Sequence, residues 1–429
     1  MDVRQTELSN GLRVVTSRLS HVQSISMGIW VGVGGRYEAR QLSGVSHFIE
    51  HLLFKGSYKR SARDISQAIE GRGGYFNAFT SEESTCFYAR VGYDQFKPVF
   101  EILADMYRNP RFKKSDIEME RGVILEEIMM YRDQPQHLVQ DVLSELLWQN
   151  HPLGRPLIGT PTTLARMSRA RIVSFKEGRY TPGNTVCAFA GNLDHDTCVA
   201  QARKFLGTTR KRRRPTCRPI SRGVGQGRIS LQAKDIEQAQ LALAFRMFGR
   251  NDRRRYAARL LSVILGENMS SRLFQLVREK HGLAYSIHSS THVFADTGAF
   301  IVSAGLDRAR CAKALKLVIR ELNRAKARRV SSEELQRAKD YVVGQLRLSM
   351  ESTSQQMMWL GEQLVSYDRI VPPEQVIHRV LAVTAEQVQR VAGQIFKHRR
   401  SSLAIVAPDL ESADEVAFGK ALRGLDPEA

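Results

Sequence analysis

Apolar positions recur along this chain in two distinct periods. Val45, Phe48, Ile49, Leu52 and Leu53 fall at i, i+3, i+4, i+7 and i+8, which predicts a helix over residues 43–54 with one face in a core. Ser43 is placed to cap its start and Gly56 to end it. Further helices are predicted over 62–72, 96–108, 115–131 and 135–149. Runs rich in β-branched and aromatic residues predict strands over 13–17, 24–33 and 85–91. Two strands, then helices, then another strand imply an α/β domain of the α+β type, with helices packed on a largely antiparallel mixed sheet.

The periodic pattern lapses near the middle of the chain. Residues 207–228, which open GTTRKRRRPTCRPISRG, are dominated by Gly, Pro, Arg and Thr and read as a linker. It separates a first domain, 1–206, from a second, 229–429. A shift of 216 residues brings the two into partial register. The apolar strand 186–190 ends in Gly191-Asn-Leu-Asp194, and its counterpart 403–406 ends in Ala407-Pro-Asp-Leu410. Upstream, Ser115-Asp-Ile-Glu-Met-Glu-Arg121 opens a helix as Ser331-Ser-Glu-Glu-Leu-Gln-Arg337 does. Two tandem homologous domains are therefore expected.

Composition narrows the class. Of 429 residues, 42% are hydrophobic, enough for two cores and too many for wholesale disorder. No apolar run reaches the length of a membrane span, so no membrane partner is expected. The segment 1–17 lacks the layout of a signal or transit peptide, and a cytoplasmic location is expected. Five scattered cysteines without a C-x-x-C argue against a disulfide framework or a cysteine zinc cage. The net charge of +20 is the unusual figure. Its clusters lie at 210–214, 253–255, 324–329 and 397–400, with no accompanying RNA-binding or helix-turn-helix pattern. They read as solvated faces and a linker, with no nucleic-acid partner expected. Nucleic-acid binding through the basic linker is the alternative they raise.

The sharpest chemistry is His47-Phe-Ile-Glu-His51. His47 and His51 stand one helical turn apart and can share a cation, with Glu50 beside them to take a proton from water. This H-x-x-E-H order is that of inverted zinc peptidases. A third ligand should come from another element. On the helix predicted over 115–131, Ser115 and Glu118 suggest a capping box. Glu120 and Glu127 share a face there with Val123 and Ile124, a stripe on which carboxylates need a positive partner. Glu126 competes for the ligand role one residue away.

Three more segments join the pattern: Gly74-Tyr-Phe-Asn-Ala-Phe-Thr-Ser81, Gly266-Glu-Asn-Met-Ser-Ser-Arg-Leu-Phe274 and Arg278-Glu-Lys-His-Gly-Leu-Ala-Tyr285. With the two helices above, they resemble the M16 metallopeptidase family over almost the full length. The likeness is greatest to short bacterial members and to the β-subunit of the mitochondrial processing peptidase. The resemblance implies the M16 (LuxS/MPP-like) fold and one Zn²⁺ per chain, held by His47, His51 and Glu127. It makes Glu50 the catalytic base and Glu120 a supporting carboxylate. It places Asn77, Ala78 and Phe79 on an edge that binds substrate as an added β-strand, and Arg278 and Tyr285 against the substrate and the tetrahedral intermediate. The implied activity is cleavage of peptides or unfolded segments in an enclosed chamber. The implied assembly is a homodimer with shared sites or a heterodimer with a non-catalytic homologue. The second domain departs from the motif. Val263, Gly266, Glu267 and Val343 stand where the first has His47, Glu50, His51 and Glu127. A non-catalytic scaffold of the same fold is the alternative, and it would be expected to lack H-x-x-E-H.

Overall fold

A computed structural model describes residues 2–220 and 227–426; the rest of the predicted linker, 221–226, lies outside the described residues. Eleven strands form two sheets. The first comprises β1 (Asp2–Glu7), β2 (Arg13–Arg18), β3 (Ser24–Val31), β4 (Tyr75–Thr80), β5 (Thr85–Gly92) and β6 (Thr185–Gly191), in the order β1-β2-β6-β3-β5-β4. The second comprises β7 (Arg228–Ala233), β8 (Ala239–Met247), β9 (Ala284–Val293), β10 (Gly298–Leu306) and β11 (Ser401–Ala407), in the order β7-β11-β8-β10-β9. β2 runs parallel to β6 and β7 parallel to β11; the other described pairings are antiparallel. Arg13 faces Val186 in the first sheet and Ile229 faces Leu403 in the second, so the expected duplication is present in the pairing itself.

The predicted strands and helices stand close to their expected limits. The run after Gly74 proves to be a strand of its own, β4, hairpinned to β5. No described helix is long and apolar enough to cross a membrane. The division at the linker needs correction, because each compact unit borrows from the other half of the chain. Unit 1 is Met1–Ile128, Arg155–Arg218 and Arg347–Pro372, and unit 2 is Met129–Gly154, Pro219–Leu346 and Pro373–Ala429.

The physical reason lies in the sheets. β6, β10 and β11 are buried at every residue, so each sheet needs a cover on both faces. In unit 1 one face packs on helices including Phe96–Arg108. The other is covered by the helix Thr353–Tyr367, whose Met357, Leu360 and Leu364 meet Val15, Trp30 and Val186. In unit 2 the matching cover is the helix Pro135–Leu147, whose Val139, Leu143 and Leu147 meet Ala242, Ala244, Ile301 and Val406. Polar latches fix the 353–367 helix: Ser17 Oγ donates to Gln356 Oε1 (2.6 Å), and Arg13 Nη1 donates to the Leu364 carbonyl (2.8 Å) and to Asp368 Oδ1 (2.9 Å). Gly361 lets this helix approach closely, since a Cβ there would run into the Trp30 indole.

That approach is testable by urea denaturation. Gly361→Val should destabilise the protein by about 1–3 kcal/mol through overpacking. Gly344, on the helix Ser332–Ser349, has open space where its Cβ would stand. Gly344→Ala should raise stability by up to about 1 kcal/mol. Equal effects at the two glycines would contradict the tight docking.

Candidate metal centre

The helix Val45–Leu53 buries Val45, Phe48, Ile49, Leu52 and Leu53, as their spacing predicts. Its start differs from expectation, for Ser43 makes no side-chain cap. Gly44 takes the left-handed conformation (φ +92°), and a Cβ there would stand 2.6 Å from the Ile158 carbonyl oxygen. The cap comes from Glu38, eight residues ahead of Ser46. Its Oε2 accepts from the Gly44 N–H (2.7 Å) and its Oε1 from the Ser46 N–H (2.8 Å). Burial pushes the Glu38 carboxyl up to about 7, against the downward pull of those two N–H groups.

The helix Lys114–Asp133 begins one residue before Ser115, and Glu118 pairs with Arg121 (3.1 Å) rather than closing a capping box with Ser115. Its buried stripe is Ile117, Glu120, Ile124 and Ile128; Val123, expected on that stripe, is exposed. Glu127 flanks the stripe and points at the histidines, whereas Glu126 is exposed. Glu127 Oε2 stands 3.7 Å from His47 Nε2 and 3.6 Å from His51 Nε2. One ligand atom from each of the three residues lies within 4.8 Å of the others.

These residues fit zinc. Ligands about 2.0–2.1 Å from a tetrahedral ion stand roughly 3.3–3.5 Å apart, close to the separations here. Burial, and then the charge of His51, pushes His47 down to about 3, so it is neutral at physiological pH, the form that binds metal. His51 Nδ1 bonds Glu120 Oε2 at 2.9 Å, which orients the ring with Nε2 toward Glu127. Lys55 Nζ meets the other Glu120 oxygen at 2.5 Å. The buried carboxylate that looked anomalous in the sequence is therefore held on both oxygens.

Glu50 lies on the same helix and is not one of the three. Its Oε2 accepts from Thr80 Oγ1 at 2.5 Å, which ties it to the end of β4. Burial raises its carboxyl above the usual range. β4 is the last strand of its sheet and pairs only with β5 among the described residues. Asn77 is exposed and donates to Tyr75 Oη at 2.7 Å, Ala78 is half-buried, and the half-buried Phe79 packs edge-on to Trp30 at 5.3 Å. Arg278 and Tyr285 belong to unit 2, whereas the other expected site residues belong to unit 1. The guanidinium of Arg278 lies 5.7 Å from the exposed Tyr285 ring. Glu38, Lys55 and Thr80 were not anticipated. Lys55 alone carried a signal, standing four residues after His51 on the same helical face.

In unit 2 the corresponding positions hold no ligands. Val263 and Val343 are buried, and Glu267 pairs with Arg259. A Cβ at Gly266 would come 2.6 Å from the Ser289 nitrogen. Two copies of one α/β domain, with a His-His-Glu cluster able to hold a metal ion in the first, define a two-domain protein with a candidate metal centre in one domain. Residues 13–161 match the family model for insulinase (peptidase family M16), and residues 166–342 match the peptidase M16 inactive domain. The chain belongs to peptidase family M16. It is 40% identical to an uncharacterized zinc protease of Mycobacterium tuberculosis over 411 residues, 94% of this chain and 93% of that one. It is 33% identical to an uncharacterized zinc protease of Bacillus subtilis over 406 residues, 95% and 98% of the two chains. A solved protease from Helicobacter pylori shares the fold with a TM-score of 0.90 at 22% identity, covering 95% of this chain and 99% of its own. A peptidase M16 inactive domain from Pseudomonas fluorescens does so with a TM-score of 0.88 at 20% identity, covering 96% and 99%.

Metal content measured by elemental analysis tests the ligand set. Glu127→Gln should lose zinc affinity more than any other carboxylate change. Glu120→Gln should lose about 10–100-fold through misorientation of His51. Glu126→Gln should bind as wild type does. Loss at Glu126 instead would move the ligand by one residue.

Proposed function

We propose that this protein is a zinc-dependent endopeptidase that holds an extended peptide against β4 and hydrolyses it beside Glu50. The convergence of His47 Nε2, His51 Nε2 and Glu127 Oε2, with a second carboxyl, that of Glu50, next to them and outside the ligand set, carries this reading. Zinc bound there supplies a Lewis acid and a water of lowered pKa. His47 and His51 would present Nε2 to the metal, and Glu120 keeps His51 in the right orientation. Thr80 holds Glu50 Oε2, leaving Oε1 to take a proton from the attacking water and return it to the leaving amine nitrogen. The free edge of β4 offers backbone donors and acceptors to an added strand, with Asn77 and Ala78 flanking the bond to be cut and Phe79 packed beneath.

Glu50→Gln should retain zinc and lose peptidase activity by about 10³-fold or more, measured on a quenched-fluorescence peptide library. Near-normal turnover by the zinc-replete variant would sink the mechanism.

Arg278 and Tyr285 are proposed to complete the site of a second copy, with Tyr285 donating to the developing oxyanion. The exposed Tyr285 ring, with the half-buried Arg278 guanidinium over it in unit 2, supports this. Homodimers would then carry two composite sites, and a non-catalytic homologue could stand in for the second copy. Glu50→Gln and Tyr285→Phe should each be nearly inactive. Mixed, they should recover about a quarter of wild-type activity, because about half the dimers are hybrid and each hybrid has one intact site. No recovery after proven subunit exchange refutes the shared site.

A further inference from the structure

Two of the basic clusters that the sequence leaves without a role meet in unit 2. Arg254 stands just ahead of the helix Arg255–Ser262, and Lys397 and Arg400 lie in the turn between the helix Ala385–Ile395 and β11. With Arg246 of β8 they line a cavity of about 460 Å³. Met247, Phe248 and Ile395 supply its apolar wall, and Asp296 is the acidic residue of the lining.

The charges do not cancel. Asp252 neutralises Arg254 from outside the lining at 2.6 Å, and Asp296 Oδ2 accepts from the Ile220 N–H at 2.9 Å. Counting both acids, four cations face two carboxylates. Burial first, and then neighbouring cations, hold Arg246 and Arg400 below the usual guanidinium value: Arg228 and Arg400 act on Arg246, against the opposing attraction of Asp296, and Arg399 and Arg254 act on Arg400. Arg400 Nε is buried without a hydrogen-bond partner among the described residues, and Arg400 Nη1 reaches the Arg246 carbonyl only at 3.4 Å. Arg254 is held in place, its guanidinium 4.6 Å over the Phe248 ring and its Nη1 donating to Gln394 Oε1 at 2.8 Å. Like charges crowded together and half out of water cost stability unless an anion sits among them.

We propose that this cavity binds a small polyphosphate anion, either inorganic or the phosphate chain of a nucleotide, through Arg246, Arg254, Lys397 and Arg400. Guanidinium forks match phosphate oxygens in pairs, and the volume lies in the range of small-molecule sites. A single cavity, rather than a track, favours a small anion over a nucleic-acid strand. The site is independent of the peptidase reading, since none of its residues belongs to that machinery.

The test is calorimetric titration of the full chain with tripolyphosphate, with ATP and with a single-stranded oligonucleotide. Tripolyphosphate should bind saturably, and more weakly as salt rises. If ATP binds more tightly, the base is held and a nucleotide is the natural form; equal affinity assigns an inorganic chain. The double variant Arg246→Gln/Arg400→Gln should weaken binding at least tenfold, and Lys397→Gln severalfold. Arg212→Gln/Arg213→Gln in the linker should leave binding unchanged. Without ligand, the double variant should melt at or above the wild-type Tm, because repulsion is relieved, and tripolyphosphate should raise only the wild-type Tm. No saturable binding, unchanged affinity in the cavity variants, loss in the linker variant or binding of the oligonucleotide alone would each overturn the proposal. So would a double variant that fails to fold, since its cations would then be internally paired.

Discussion

Strands that are apolar on both faces must be covered twice, and most of this architecture follows from that. β6, β10 and β11 have no solvated side, so each sheet is sandwiched between helices. Each half of the chain lends the other one of those helices, 135–147 in one direction and 353–367 in the other. The sheet margins escape the double cover. β4 lies at such a margin, with the 45–53 helix packed against it. His47, Glu50 and His51 on that helix therefore stand beside the margin of the sheet rather than under its covered middle.

Inside the site the governing term is removal from water. A low dielectric keeps His47 neutral, raises the Glu50 carboxyl and makes an unpaired Glu120 untenable. His51 and Lys55 answer the last of these, one on each oxygen. Unit 2 shows the same frame with the chemistry removed. A valine fills each position matching His47 and Glu127, and at Gly266 the helix runs so close to β9 that any side chain would strike backbone. The frame survives because its stability rests on the sheet and its covers, which no ligand residue helps to build.

Much of this was legible in the sequence, because local periodicity and the spacing of charged residues report local structure faithfully. The helix bearing His47 and His51 and the duplication came from spacings of four and 216 residues, and a spacing of seven put Glu120 and Glu127 on one face; the choice of Glu127 over Glu126 came only from the family resemblance. What escaped was set by contacts distant in the chain or between elements. No pattern near residue 139 or residue 360 says which sheet those apolar faces cover, and a cut at the linker treats each helix as belonging to its own half. The cap at Gly44 was misread because Glu38 reaches it across a turn, where a serine one residue away offered the simpler rule. Val123 was misplaced because a helix face a hundred degrees wide leaves its margins undecided until the neighbours are known.

The exchange of helices also orders events in time. A chain made from its N-terminus lays down β1 to β6 long before the helix that covers them has been synthesised. Until residue 367 is out, one face of the first sheet stays bare, with Trp30, Val15 and Val186 open to water or to whatever else binds apolar surface. The 135–147 helix meanwhile waits for a sheet not yet translated. Unit 1 has all its parts once Pro372 is out, whereas unit 2, whose 135–147 helix was made early, still waits for β11, so the unit that begins first also closes first, but only after most of the other has been synthesised.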